Sequence, residues 1–246
     1  MSLLFVFVPL IAFIYASVGF GGATGYLAVM SLFGIEPQVM ASTALALNIL
    51  VAGISFLSYY RAGHLNSRLL WPFLITSVPA AFWGGSYKFT DQTYYILLYG
   101  VLTFVAIRLL FFSKKKDDIK AVHAVPFWPA LIIGFGIGLL SGIVGIGGGI
   151  FLSPIILYAR WGNSKQAATV SAAFIVLNST SGLLGRLAGD TLILDTFSLS
   201  LLPFGIFGAL AGSWFGAQRF SNLNLRRALG MVMSFAVSNF WLAFWR

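Results

Sequence analysis

Gly19-Phe20-Gly21-Gly22 lies inside the apolar run MSLLFVFVPLIAFIYASVGFGGATGYLAVMSLF (residues 1–33) and returns 126 residues later as Gly145-Ile146-Gly147-Gly148-Gly149. Each glycine weakens a helix by roughly 1 kcal/mol relative to alanine. A cluster of them inside an apolar segment therefore predicts a break, and its recurrence predicts an internal duplication. In a bilayer, non-helical backbone survives only where it is buried in protein or lines a cavity. Paired interruptions in the two halves of a chain are the best sequence pointer to a transporter's binding site.

The composition supports the membrane setting. The chain of 246 residues is 59% hydrophobic and 9% charged, with a mean hydropathy of +0.92, against roughly 25% charged residues in soluble domains. Its net charge of +9 sits between apolar spans and forms no single stripe. That pattern is expected of cytoplasmic loops and argues against nucleic acid as a partner. With no cysteine there is no disulfide framework or thiolate chemistry. The first residues lack a basic flank and run straight into the glycine stretch, so they read as a retained span rather than a cleaved signal.

Taken in order, residues 3–33 are too long for one crossing of about 20 residues and read as two short helical pieces around the glycines. Spans follow at 39–60, 69–87 and 94–112, the middle one carrying Pro72, Pro79 and Gly84-Gly85, where close packing or a kink is expected. A hydrophilic linker around Lys114-Lys115-Lys116-Asp117-Asp118 leads to a second half of the same plan. There the segment 127–158 is overlong and broken at its glycines, and spans follow at 167–184, 196–217 and 225–245. Arg186 to Asp190 reads as a turn echoing Arg61 to His64. A register two residues longer aligns Gly34 with Gly162, Gln38 with Gln166, Thr43 with Ser171 and Gly84 with Gly212. The expected organisation is a first transmembrane repeat at 1–112, a basic cytoplasmic linker at 113–125 and a second repeat at 126–246.

Charge placement decides how the broken segments run. If each crosses once, the fifteen Lys and Arg residues divide nine to six, which is almost no bias. If each goes in and comes back, as two short spans or a re-entrant hairpin, the division becomes twelve to three. Only Lys88, Arg186 and Arg246 then fall on the minority side. The positive-inside rule thus predicts an all-α polytopic protein of two inverted-topology repeats, with basic loops in the cytoplasm and both termini outside.

All six acids, Glu36, Asp91, Asp117, Asp118, Asp190 and Asp195, and both histidines, His64 and His123, fall in loops or at span ends. That disfavours a carboxylate proton relay and a pocket for an organic cation. Broken helices offer the opposite chemistry, because backbone N–H groups at a half-helix start, backed by the helix dipole, make an anion site without charged side chains. The candidate substrate-binding residues are Gly19, Gly21, Gly22, Thr24, Thr43 and Asn48 in the first half. Gly145, Gly147, Gly148, Gly149, Ser153, Ser171 and Asn178 are their counterparts in the second. Glycine and serine in membrane helices also serve packing, and that reading competes at every one of these positions. No pattern asks for a catalytic residue, a metal or another cofactor. Leu140-Ser141-Gly142 is a faint serine-protease likeness with no base at hand. Trp71, Trp128, Trp241 and Trp245 near span ends read as interfacial anchors.

Several of these features together resemble the TauE/SafE family of sulfite exporters, also called TSUP: the Gly-x-Gly-Gly pattern early in each half, Ala41-Ser42-Thr43-Ala44, Val170-Ser171-Ala172 and the turn from Arg61 to His64. The resemblance covers nearly the whole chain and departs at Ala23-Thr24, where the second half keeps a third glycine, Gly149. It implies a bacterial inner-membrane transporter of sulfur-containing anions such as sulfite, sulfoacetate or other organosulfonates. The expected partners are a small anion and the lipid bilayer, with room for a homo-oligomer. The rival readings are another small anion on the same scaffold, such as a carboxylate or an oxyanion, and a non-transporting membrane subunit.

Overall fold

The computed structural model describes residues 2–111, 123–218 and 237–238, and the described residues are helical without strands. The elements are α1 (Leu4–Ala16), α2 (Ala23–Leu32), α3 (Pro37–Arg61), α4 (Ser67–Ser86), α5 (Asp91–Phe111), α6 (Phe127–Val144), α7 (Gly149–Tyr158), α8 (Ser164–Ala188) and α9 (Thr196–Gln218). Both overlong segments are broken where the glycines fall, giving α1 with α2 and α6 with α7. Most of the linker, the expected last span at 225–245 apart from 237–238, and Trp241, Trp245 and Arg246 lie outside the described residues.

Length separates two kinds of helix. α3 and α8 each have 25 residues, about 37 Å of helix and enough to span a hydrocarbon core of about 30 Å. α2 and α7 have 10 residues each, about 15 Å, so each reaches only half-way. Among the described residues, α3, α6, α8 and the Thr196–Phe215 part of α9 are long and apolar enough to cross a membrane. α4 has the length, but serine, proline, glycine and tryptophan dilute its apolar content. Its Trp71, Ile75, Phe82 and Trp83 are exposed, an outward apolar face suited to lipid.

Local signals set the helix starts. Asn163 and Gln166 form a reciprocal capping box at α8, with Gln166 N–H donating to Asn163 Oδ1 at 2.9 Å and Asn163 N–H to Gln166 Oε1 at 3.1 Å. Pro37 opens α3, where its missing N–H costs nothing, and Asn66 caps α4. At α9, Asp195 accepts the Ser198 N–H at 2.7 Å, and the Ser198 hydroxyl receives Thr43 Oγ1 at 2.7 Å. Hydrogen bonds from the Ser198 hydroxyl and the Ser198 N–H hold the Asp195 carboxyl below its ordinary range.

Packing pairs elements across the two halves. α3 and α8 run antiparallel at the centre, with Asn48 reaching Ser179 and Leu45 lying against Gly182. α4 packs on α6 and α8, and α9 packs on α1 and α3. These contacts are close because glycines supply them. On Gly134, Gly138 and Gly142 of α6, a β-carbon would meet the backbone of Phe73, Ser77 and Ala81, one turn apart along α4. Gly208 and Gly212 of α9 meet Pro9 and Phe13 of α1 in the same way. Gly84 and Gly85 serve this packing against Leu139 and Gly182, inside a continuous α4.

α2 folds back beside α1, with Tyr15 hydroxyl and Thr24 Oγ1 at 2.8 Å and Gly25 against Ile11. The described charges consequently separate by end. Glu36, Lys88, Asp91, Asp190 and Asp195 gather where α3 begins and α8 finishes. Arg61, His64, Arg68, His123, Arg160 and Lys165 gather at the other end. The expected turn at Arg186 is corrected, because α8 continues to Ala188 and Arg186 is buried within its last turn. Gly185 and Gly189 look like turn residues in sequence, yet they face the backbone of Phe82 and Ser86 at the α4 contact.

Candidate site at the junction of the helix breaks

The two breaks meet. Gly22 and Gly148 cap the half-helices α2 and α7 in the left-handed region, with φ of 92° and 79°, where an L side chain costs roughly 1–2 kcal/mol. Between the breaks stands Asn48, fully buried on α3. A β-carbon on Gly21 would overlap Asn48 Oδ1, and one on Gly147 would lie 2.7 Å from Asn48 Nδ2 and 2.9 Å from Ser179 Oγ. One amide therefore touches both glycine clusters, and both need glycine for space as much as for dihedral angle.

The hydrogen bonds fix that amide. Asn48 Oδ1 accepts the Ala23 N–H at 3.2 Å, at the first residue of α2, and Asn48 Nδ2 donates to Ser179 Oγ at a long 3.4 Å. One N–H of the first nest is thus already occupied. The Gly25 and Tyr26 N–H groups bond Gly22 O at 2.9 and 3.1 Å. At the second break, the Phe151 and Leu152 N–H groups bond Gly148 O at 3.1 and 3.3 Å.

Ser171, Ile175 and Ser179 make one stripe of α8 at helical spacing, and Ile175 lies against Gly21, Gly147 and Gly149. Gly149 is helical, so its requirement is space alone, with Ile175 Cγ1 and the Ser171 carbonyl 2.5 and 2.8 Å from a β-carbon. Gly19 sits against Ala168 and Tyr59, and Gly145 against Ala41, so the two breaks reach toward opposite ends of the α3 and α8 pair.

Not every candidate converges. Thr24 is spent on Tyr15 inside the α1 and α2 hairpin. Thr43 bonds Val39 O and Ser198, tying α3 to α9. Ser153 is buried one turn into α7. Asn178 donates to Phe174 O at 2.8 Å, leaving its Oδ1 buried without a partner, and Ser171 Oγ is in the same condition. Tyr26 was not foreseen. Its ring covers Gly22, with Cζ and the hydroxyl each 2.8 Å from where a β-carbon would stand, and the hydroxyl is buried without a partner. The signal lay in the spacing Gly22-x-x-x-Tyr26, one helical turn. Ser179 and Ile175 were also missed, although they share a helical face with Ser171.

Unpartnered buried polar atoms cost about 1–3 kcal/mol each. Three of them, on Tyr26, Ser171 and Asn178, come from elements that carry or abut the breaks. The arrangement places hydroxyl and amide groups beside two half-helix starts with no charged side chain among the described residues that touch the breaks, and half-helix starts favour negative charge.

Comparison with known proteins agrees in class. The family described as Sulfite exporter TauE/SafE matches residues 4–240. The Sinorhizobium fredii protein named "Probable membrane transporter protein y4hK" is 36% identical over 208 residues, covering 82% of this chain and 84% of the relative. The Bacillus subtilis protein named "Probable membrane transporter protein YunE" is 25% identical over 222 residues, covering 81% and 77%. No solved structure matches the chain. With the family match spanning almost every residue, and paired helix breaks meeting inside a multi-pass bundle, this chain belongs to the TauE/SafE family of membrane transporters.

Proposed function

We propose that the protein moves a small sulfur-containing anion, such as sulfite or an organosulfonate, outward across a bacterial inner membrane, binding it at the junction of the two breaks. The observation that carries the reading is Asn48, whose single amide touches the first nest through Ala23 and the second through Gly147 and Ser179. In this conformation the Asn48 carbonyl occupies the α2 N-terminus. An arriving oxyanion takes that place, accepting from the Ala23 N–H, the Tyr26 hydroxyl and the Asn48 amide in a site whose dipoles favour negative charge.

Two inverted repeats fit this reading. Support comes from the antiparallel α3 and α8, from the exchange of α4 and α9 between halves, and from the separation of acidic and basic ends. The basic end faces the cytoplasm under the positive-inside rule. Removing Arg186 from the loops leaves Lys88 as the loop cation on the minority side among the described residues. Export needs no coupling carboxylate, since moving one negative charge out of an inside-negative cell yields about 2.3 kcal/mol per 100 mV.

Flux from proteoliposomes tests the proposal. Sulfite or sulfoacetate is expected to leave faster under an inside-negative potential, with acetate and chloride far slower. Equal flux of acetate would move the cargo to carboxylates, and absence of flux for every anion would overturn transport by this chain alone.

A further inference from the structure

Arg186 plays no part at the junction, yet it is only 5% exposed. Its Nη2 donates to Gly142 O at 3.2 Å and to Ile143 O at 2.8 Å, the last carbonyls of α6, while its Nε is buried with no acceptor. Among the described residues no carboxylate pairs with it. A guanidinium carries five donors, and a buried cation without a counter-ion costs several kcal/mol. The negative end of α6 offsets part of that cost, and the buried, unpartnered Nε marks what remains.

A small pocket open to solvent lies against this residue. Its polar lining is Gln38 from α3, Tyr87, Lys88 and Asp91 between α4 and the start of α5, Tyr94, Thr191 and Arg186. Tyr94 and Thr191 are engaged elsewhere, their hydroxyls donating to Val144 O at 3.1 Å and Gly85 O at 3.0 Å. Two cations thus face one carboxylate. Glu36, Asp190 and Asp195 share this end of the molecule but do not line the pocket. It is a cationic gap in an acid-bearing end, and its wall includes Ile143, two residues before the second break at Gly145.

We propose that Arg186, Lys88 and Gln38 form an anion-binding vestibule where a small oxyanion rests between the junction and the water at the acid-bearing end. This deepens the anion-transport reading and rests on it for the direction of travel. The vestibule itself is a matter of binding.

The test is protection of Lys88 from an amine-acylating reagent in the full-length protein in nanodiscs, read by mass spectrometry. Lys165, at the other end, is the internal control. The probe is sulfate, which is inert to the reagent, against chloride at matched ionic strength. Millimolar sulfate is expected to slow Lys88 labelling about fivefold and to leave Lys165 unchanged, the strength of a charge-assisted contact. Protection is expected to vanish in Arg186→Gln and to persist in part in Arg186→Lys. Where Arg186→Gln does not fold, Gln38→Leu is expected to weaken protection about twofold. Equal labelling of Lys88 in sulfate and chloride, or full protection in both Arg186→Gln and Gln38→Leu, overturns the vestibule. Protection without anion flux keeps the vestibule and removes the transport reading, whereas flux without protection does the reverse.

Discussion

The two helix breaks share a motif and differ in what holds them. The first, between α1 and α2, is held by neutral groups: Asn48 on the Ala23 N–H, Tyr26 over Gly22, and Tyr15 on Thr24. The second, between α6 and α7, is held at its carbonyl end by a cation, Arg186 on Gly142 and Ile143, with Tyr94 on Val144. A neutral hold at a half-helix start can be exchanged for a ligand at small cost, since a net hydrogen bond is worth about 1 kcal/mol. A charged hold buried at a helix C-terminus is harder to release. The first break therefore suits the yielding side of the proposed anion site and the second suits its fixed side.

The largest effect is expected where the comparison rests on backbone. Gly147→Val places a β-branched residue at a φ of 71° and against Asn48 and Ser179. Flux is expected to fall at least about a hundredfold, read in proteoliposomes with folding checked by gel filtration. Retained flux would mean that the second break is not fixed.

Arg186→Leu comes next, because it strands the Gly142 and Ile143 carbonyls at roughly 1–3 kcal/mol each. A lowered melting temperature is expected, and one equal to wild type would deny the charged hold. Asn48→Ala removes the shared amide and is expected to weaken anion affinity about tenfold, one or two hydrogen bonds' worth. Anion-dependent thermal shifts read this effect. If Asn48→Ala instead tightens binding, the amide is a competitor of the ligand and not a donor to it.

Tyr26→Phe should cost about threefold in affinity and leave the melting temperature unchanged or higher, since the hydroxyl has no partner to lose. The smallest effect lies away from both breaks, at Asp195. Its carboxyl titrates below the ordinary value in the folded chain, so its contribution is present at neutral pH and lost as pH falls through that lowered value. Asp195→Asn should lower the melting temperature slightly at pH 7 and not at all in strong acid.

Much of the fold was legible because its strongest signals are local. Glycine clusters inside overlong apolar segments break helices wherever they stand, so both breaks were placed within a residue or two. Arg186 was misread for an instructive reason. Gly185 and Gly189 have the composition of a turn, and only the approach of α4 explains them as packing glycines that let α8 continue. The candidate site divides the same way. Gly21, Gly22, Gly147 and Gly148 followed from the motif, whereas Tyr26, Ser179 and Ile175 matter because of what they touch, and Thr24 and Thr43 turned out to be bonded elsewhere.

By itself the sequence determined membrane residence, the recurrence of the glycine motif, the position of both breaks and the absence of a carboxylate from the long apolar segments, since these depend on composition and on backbone preferences along the chain. Tertiary structure alone decided that the breaks meet across one asparagine, that one is held by neutral groups and the other by a buried arginine, and that α4 and α9 are exchanged between the halves. Those outcomes depend on which surfaces can approach to backbone contact. Asn48 and Ser179 are 131 positions apart, and no local preference reaches that far.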